Sequence, residues 1–165
     1  MAGGLRIVYP SRNQVSDNAP QIARVIFVPV TDMASRPVVQ NVAQIVAEDP
    51  TGHVLYATFI ETDRVELPLD NPSDAAMLYW VETSGDQIRT RYSLFHDQHG
   101  WSAPMNLSSS SWKAESLFDI GDYMKGAFFY DGQLNFLAQW PQVRDTQGNP
   151  LNQIRYRILT VQPSA

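Results

Sequence analysis

Short runs of apolar residues, separated by polar turns, recur along this sequence and predict β-strands throughout. In residues 87–95 apolar and polar side chains alternate, which is typical of a strand with one exposed face. Residues 22–28, 54–60 and 75–81 are rich in β-branched and aromatic residues, which favour strands. Residues 38–47 fit either a strand or a helix, and their valines and isoleucine favour a strand. No stretch shows a long helical period, so the sequence predicts an all-β fold.

The C-terminal part of the chain predicts three antiparallel strands in succession. Residues 127–130 and 133–140 are apolar runs joined by Asp131-Gly132, a dipeptide typical of the two-residue type I′ turn. Residues 152–159 supply the third strand, because polar and apolar side chains alternate along them.

An internal repeat relates this C-terminal unit to an earlier one. Residues 77–94 and 136–159 each contain an aromatic-ended strand, a connection, and a Gln-Ile-Arg sequence that opens an alternating strand. Recurrence of the same strand pair indicates a repeated structural unit. The repeat divides a single domain into a less regular segment, residues 1–37, and two blade-like repeats, residues 38–111 and 112–165.

A series of short motifs runs from residue 91 to residue 123: Arg91-Tyr92-Ser93, Asp97, Gly100-Trp101, residues 102–107 and Gly121-Asp122-Tyr123. Their order resembles that of sialidase-like β-propellers with Asp-box turns. The resemblance spans residues 41–161 and implies antiparallel propeller blades. The Asp box is degenerate, because Asp97 is displaced from Ser93 and Gly100 directly precedes Trp101. Sialidase catalysis uses an arginine triad, a Tyr-Glu pair and an Asp acid, and none has a counterpart at a matching position, so the resemblance implies the fold without the activity.

The length of the chain limits the number of such blades. Its 165 residues have room for about three blades of roughly 40–60 residues, whereas a closed propeller has about four to eight. Three arrangements fit: an excised part of a larger propeller, a ring completed by several chains, or a two-sheet antiparallel β-sandwich. An excised segment would favour an extracellular or periplasmic location.

Composition and charge exclude several classes of function. Hydrophobic residues make up 44% of the chain and charged residues 18%, which is typical of a globular domain. The net charge of −5 argues against a nucleic-acid-binding protein, since a phosphate backbone requires a basic surface. No apolar run is long enough for a membrane span. The absence of cysteine excludes disulfides, thiolate metal sites and a cysteine nucleophile.

Aromatic residues, 11% of the chain, supply the main candidate binding site. Trp101 and Trp112 lie in predicted loops, close in sequence to His99 and Asn106. Sugars offer apolar C–H faces and many hydroxyls, so aromatic rings beside polar side chains suit carbohydrate binding. Trp101 has a structural alternative, because a tryptophan at this position would pack the turn against the sheet.

The arginines of the predicted strand at residues 87–95 form a second candidate binding group. Arg89 and Arg91 lie two residues apart and therefore on one face. Paired guanidinium groups suit carboxylate or phosphate recognition. A solvated face with salt bridges is the favoured interpretation, because Glu82 and Asp86 are near in the sequence.

No cofactor and no transition-metal site are predicted. Calcium is the one ion for which oxygen ligands are at hand, from Asp119 and Asp122 together with Asp49 or Asp131. The spacing of these acidic residues differs from that of an EF-hand loop, and ordinary Asx-turn hydrogen bonding is the favoured role.

Three functional hypotheses follow. The first is a non-catalytic module that binds carbohydrate or another exposed polymer through loop aromatics. The second is a structural protein whose incomplete blades complete each other through edge strands in a homo-oligomer. The third is a fragment of a larger glycosidase-like propeller whose catalytic residues lie in blades outside this chain.

Overall fold

The computed structural model describes residues 4–12, 20–29, 40–61, 75–96, 100–109, 111–113 and 124–161. These residues form β-strands joined by turns, and none of them is helical. None of them therefore belongs to a helix that could cross a membrane. The strands are, in chain order, β1 (Gly4–Arg12), β2 (Gln21–Pro29), β3 (Gln40–Ile45), β4 (Val54–Glu61), β5 (Ala75–Ser84), β6 (Gln87–His96), β7 (Gly100–Trp101), β8 (Met105–Asn106), β9 (Trp112–Lys113), β10 (Lys125–Tyr130), β11 (Leu134–Arg144) and β12 (Pro150–Thr160).

The strands form three antiparallel sheets that follow one another along the chain. The N-terminal sheet has the order β1-β2-β3, and the C-terminal sheet has the order β10-β11-β12. The central sheet has the order β4-β5-β6-β7, with β8 and β9 also paired to β6. The prediction of an all-β, antiparallel fold is confirmed, and the segment that fitted helix or strand forms β3.

Strand β5 is buried on both of its faces. Every side chain from Ala75 to Glu82 is buried, which matches the uninterrupted apolar run in this part of the sequence. Successive side chains of a strand point to opposite sides. Met77 and Tyr79 accordingly belong to one hydrophobic core, and Leu78 and Trp80 belong to another.

The larger core lies between the central sheet and the C-terminal sheet. Met77 and Tyr79 of β5 pack there with Phe136 and Trp140 of β11. The Tyr79 hydroxyl donates a hydrogen bond to the carbonyl oxygen of Gln139 at 3.3 Å, and burial raises the pKa of this hydroxyl. This contact joins the two sheets directly.

Two sheets can approach closely at β4 because β10 carries a glycine there. A Cβ at Gly126 would collide with the side chain of Ile60 in β4. The absence of a side chain at this position therefore lets the edges of the central and C-terminal sheets meet.

The smaller core lies between the central sheet and the N-terminal sheet. Ala23 and Val25 of β2 and Ile45 of β3 pack there against Leu78 and Trp80 of β5. The central sheet is thus covered by a neighbouring sheet on each side.

The turn at Asp131-Gly132 differs from its prediction. Tyr130 pairs with Leu134, so the loop has three residues and the predicted two-residue turn is wrong. The Asp131 carboxylate accepts hydrogen bonds from the Gln133 backbone N–H at 3.3 Å and from the Asn135 amide at 2.9 Å. These bonds stabilise the longer loop, in which Gly132 has a φ of 106° that favours glycine.

Strand β6 is more buried than its alternating sequence predicts. Its apolar face is buried in the larger core, as expected, but Arg91 and Ser93 on the other face are also buried. The prediction of one exposed face is therefore wrong for this part of the strand. The cause is the second covering sheet, which the period of a single strand does not reveal.

The N-terminal and central sheets each contain strands from both sides of one repeat boundary, at residue 37 and at residue 111. Strands β1 and β2 pair regularly over nine residues and form one sheet with β3. Trp112 of β9 pairs with Ile88 of β6 and so belongs to the central sheet.

A matched pair of phenylalanine truncations tests the position of the larger core. Phe136 is fully buried in β11, whereas Phe129 in the neighbouring strand is 39% exposed. We expect Phe136→Ala to lower the free energy of unfolding by about 3–5 kcal/mol and Phe129→Ala to lower it by about 1 kcal/mol or less. Urea denaturation followed by circular dichroism measures both, and equal losses would contradict the assigned core.

Candidate functional site

The candidate site is the face of β6 that is turned toward the N-terminal sheet. Arg89 and Arg91 lie on this face, two residues apart. Trp101 of β7 pairs with Phe95, and Asn106 of β8 pairs with Arg91. Directly paired residues of antiparallel strands point to the same side of a sheet. The structure therefore brings these four predicted residues onto one face.

A buried carboxylate lies at the centre of this face. The Glu82 side chain is completely buried, and its Oε2 accepts a hydrogen bond from Trp80 Nε1 at 2.8 Å. Its Oε1 accepts one from Arg89 Nε at 2.8 Å and one from the Glu48 backbone N–H at 3.3 Å. A buried charge is tolerated when it is paired and hydrogen-bonded in this way.

A second carboxylate completes a four-residue ion cluster. Glu48 Oε2 lies 2.7 Å from Arg89 Nη1 and 3.6 Å from Arg91 Nη1, and its side chain is 59% exposed. Arg91 Nη1 also lies 3.5 Å from Glu82 Oε1. Two guanidinium groups and two carboxylates balance one another, so this cluster is neutral.

The ion cluster fixes the backbone beside it. Arg91 Nη2 donates a hydrogen bond to the carbonyl oxygen of Pro104 at 3.0 Å, which holds the segment between β7 and β8 against the sheet. The salt bridge of Arg89 to Glu82 agrees with the structural interpretation of these arginines. The same interpretation predicted that this face is solvated, and that part is wrong because Glu82 and Arg91 are buried.

A cavity of about 170 Å³ opens next to the ion cluster, between the N-terminal and central sheets. Trp101 is half-buried in its wall, with ring centroids 5.9 Å from Phe59 and 5.3 Å from Phe95. The other three tryptophans of the chain are buried. Trp101 is thus the one tryptophan that keeps part of its ring available. The cavity is lined by Gln44, Ile45, Val46, Leu78, Trp80, Ser93, Trp101, Ser102 and Pro104.

Gln44 and two serines supply the polar part of the cavity wall. Ser93 Oγ donates a hydrogen bond to the Ser102 carbonyl oxygen at 2.7 Å, and Ser102 Oγ accepts one from the Leu94 backbone N–H at 3.1 Å. Each hydroxyl oxygen keeps further acceptor capacity. None of the described lining residues carries an ionisable side chain, so this wall can bind and orient a ligand but supplies no proton-transfer group.

Trp112 lies apart from this arrangement. Trp112, predicted to lie in a loop, is in β9 and is completely buried on the opposite face of the central sheet. That prediction is wrong because Trp112 pairs with Ile88, which is distant in the sequence. His99 lies outside the described residues. Asn106 is exposed at the border of the site.

A second cavity, of about 280 Å³, lies between β1, β2 and β4. Tyr9 and Tyr56, each 37% exposed, contribute to its lining together with Pro10. Sequence analysis missed this cavity, because no sequence pattern shows which two sheet edges will meet. Apart from the tyrosine hydroxyls, the described lining side chains are apolar.

The acidic residues proposed for calcium act as turn residues where they are described. Asp49 Oδ1 accepts hydrogen bonds from the Thr51 backbone N–H at 2.9 Å and from its hydroxyl at 2.8 Å, and these bonds lower the pKa of Asp49. Asp131 binds its own loop in a similar way. The described ranges contain no group of three or more residues able to hold a metal ion. Asp119 and Asp122 lie outside them.

Glu82 and Trp80 belong to the site but were not among the predicted binding residues. Glu82 directly continues the apolar run of β5, two residues after Trp80 and hence on the same face. The Gly85-Asp86 turn also places Glu82 opposite Arg89. The ion cluster could have been predicted from this pattern. A carboxylate follows an apolar strand and lies opposite an arginine across a short turn. No sequence signal joined Gln44 to Ser93 and Ser102.

Comparisons of this chain with protein-family models, with curated proteins and with solved structures found no match.

Two glutamine substitutions test the ion cluster. Glu82→Gln leaves two arginines beside one exposed carboxylate, and we expect it to lower the free energy of unfolding by about 3–5 kcal/mol. Glu48→Gln is the matched control, and because its side chain is largely solvated we expect a loss of about 1 kcal/mol or less. Chemical denaturation at neutral pH measures both. A mild effect of Glu82→Gln would show that Glu82 is not held as a buried charge.

Proposed function

We propose that this chain is a non-catalytic binding module for carbohydrate and that the cavity at Trp101 receives a sugar ring. The observation that carries this proposal is the position of Trp101. Part of its ring remains available beside the hydroxyls of Ser93 and Ser102 and the amide of Gln44. An aromatic face can stack on the C–H face of a sugar, while hydroxyl and amide groups bond its hydroxyls. Mostly apolar pockets with a few polar groups are typical of ligand sites.

The size of the cavity limits what it can hold. A volume of about 170 Å³ equals the space of about five or six water molecules, which suits one sugar ring and not several. Further units of a polymer would lie outside the cavity, along the exposed residues Met105 and Asn106 of β8. The proposed mode is therefore recognition of one residue of a glycan.

The surroundings of the cavity favour binding over hydrolysis. Glycoside hydrolysis normally requires two carboxyl groups that flank the scissile bond, and the described cavity wall has none. The nearby carboxylates of Glu48 and Glu82 are engaged with Arg89 and Arg91.

We infer further that the three sheets are consecutive propeller-like blades. Two observations support this: the sheets occur in chain order, each built from sequential antiparallel strands, and the central sheet has a separate core on each face. A two-sheet sandwich would have a single core between its sheets.

Substitutions at Trp101 test the binding proposal. A glycan array screened with the intact chain provides the probe, and titration calorimetry with the best glycan measures its affinity. We expect Trp101→Ala to weaken binding about tenfold or more, because it removes the stacking surface, at a cost of about 1–2 kcal/mol. Trp101→Phe should retain most of the affinity, since it preserves an aromatic face.

Tyr56→Ala, at the second cavity, is the control for the Trp101 substitutions. It should leave glycan affinity unchanged, and circular dichroism of each variant checks that it is folded. Absence of any glycan hit, or a hit weakened by Tyr56→Ala but not by Trp101→Ala, would contradict the proposal.

A further inference from the structure

Strand β12 presents a long, apolar edge at the border of the C-terminal sheet. It pairs with β11 on one side, and no described strand pairs with its other side. Ile154, Tyr156 and Ile158 lie on one face of this strand and are 55%, 69% and 50% exposed. An exposed apolar edge strand is a template for pairing with another strand, and proteins normally protect such edges.

The apolar surface continues from β12 across its own sheet. Ile158 pairs with Leu137, and Leu137 pairs in turn with Ala127 of β10. Ile154 pairs with Pro141. Tyr156, between them, pairs with Gln139, which pairs in turn with Lys125. The exposed residues of β12 therefore border a face that is apolar on both sides of one polar row.

The other face of β12 carries positive charge without an acidic partner. Arg155 Nε donates a hydrogen bond to Gln142 Oε1 at 3.0 Å. Arg157 Nη1 donates to the carbonyl oxygens of Asn106 at 3.2 Å and Leu107 at 3.0 Å. No ion pair joins either arginine to a carboxylate among the described residues, in contrast to Arg89 of β6. The strand itself contains no acidic residue, although the chain has a net charge of −5.

We propose that the edge of β12 binds a partner polypeptide in an extended conformation whose residues alternate between apolar and acidic. The partner adds a strand to the C-terminal sheet through backbone hydrogen bonds. Its acidic side chains lie opposite Arg155 and Arg157, and its apolar side chains lie opposite Ile154, Tyr156 and Ile158. Opposite charges directly across a strand pair stabilise it.

The arginines disfavour a second copy of this chain as the occupant. Symmetric pairing of two β12 strands is antiparallel. A register centred on Tyr156 places Arg155 opposite Arg157 of the other copy. A register centred on Arg155 places the two copies of Arg155 opposite each other, and a register centred on Arg157 does the same for Arg157. Like charges directly opposite one another destabilise these registers. A register centred on Ile154 avoids this repulsion but places the arginines opposite the uncharged residues Gln153 and Leu151, so an acidic partner alone complements their charge.

Two synthetic peptides test this proposal. Both are seven residues long with valine at alternate positions, acetylated and amidated, and carry either glutamate or lysine at the positions between. Fluorescence anisotropy with the intact chain measures their affinity. We expect the glutamate peptide to bind at least tenfold more tightly than the lysine peptide, with the preference weakening as salt rises.

Charge reversal on the protein provides the decisive variant. Arg155→Glu combined with Arg157→Glu should reverse the order of the two peptides. Because Arg157 also bonds to the backbone near β8, Arg155→Glu alone is measured as well, and it should reduce the preference. Ile158→Lys should weaken both peptides, whereas Trp101→Ala should weaken neither, which separates this surface from the proposed glycan site.

The remaining outcomes overturn the proposal. Equal affinity for the two peptides would remove the acidic specificity, and no binding of either would remove the docking surface. Concentration-dependent dimerisation that Ile158→Lys abolishes, measured by light scattering, would identify a second copy of the chain as the occupant instead.

Discussion

Strand β5 can be buried on both faces only because a sheet lies against each side of it. Its side chains alternate between two hydrophobic cores, one shared with the N-terminal sheet and one with the C-terminal sheet. This placement accounts for the buried ion cluster. The strand continues past its apolar run to Glu82, still within the buried region, and a carboxylate there is tolerated only with charged and hydrogen-bonded partners. Arg89 and Arg91 on the adjacent strand, together with Trp80, meet that requirement.

The candidate binding site follows from the same arrangement. The N-terminal sheet covers one face of the central sheet incompletely and leaves a cavity at Trp101. The ion cluster holds Arg91, and Arg91 holds the carbonyl oxygen of Pro104 in the cavity wall. The side chains that stabilise the sheet therefore also shape the cavity at Trp101. The outer face of the C-terminal sheet has no such cover among the described residues, and no described strand pairs with the outer side of β12.

The sequence predicted the features that depend on near neighbours. Alternation and β-branched content located the main strands, and the spacing of Arg89 and Arg91 placed both on one face. Features that depend on distant segments escaped it. Trp112 follows a run of serines and suggested a loop, but pairing with Ile88 buries it. The burial of Arg91 depends on a second covering sheet, and the cavity depends on Gln44 meeting Ser93 from another sheet. The Asp131-Gly132 dipeptide favours a two-residue turn, but the hydrogen bonds of the Asp131 carboxylate within the loop stabilise a three-residue loop instead.

Native-state hydrogen exchange, followed by NMR, tests the central position of β5 most directly. Amides of residues 76–82 should exchange only through global unfolding, because two sheets must separate to expose them. Amides of β12 between residues 154 and 158 that do not face β11 have no described partner strand and should exchange faster through local opening. If the β5 amides exchanged as fast as those of β12, their opening free energy would lie well below the free energy of global unfolding. That result would contradict a strand enclosed by two sheets.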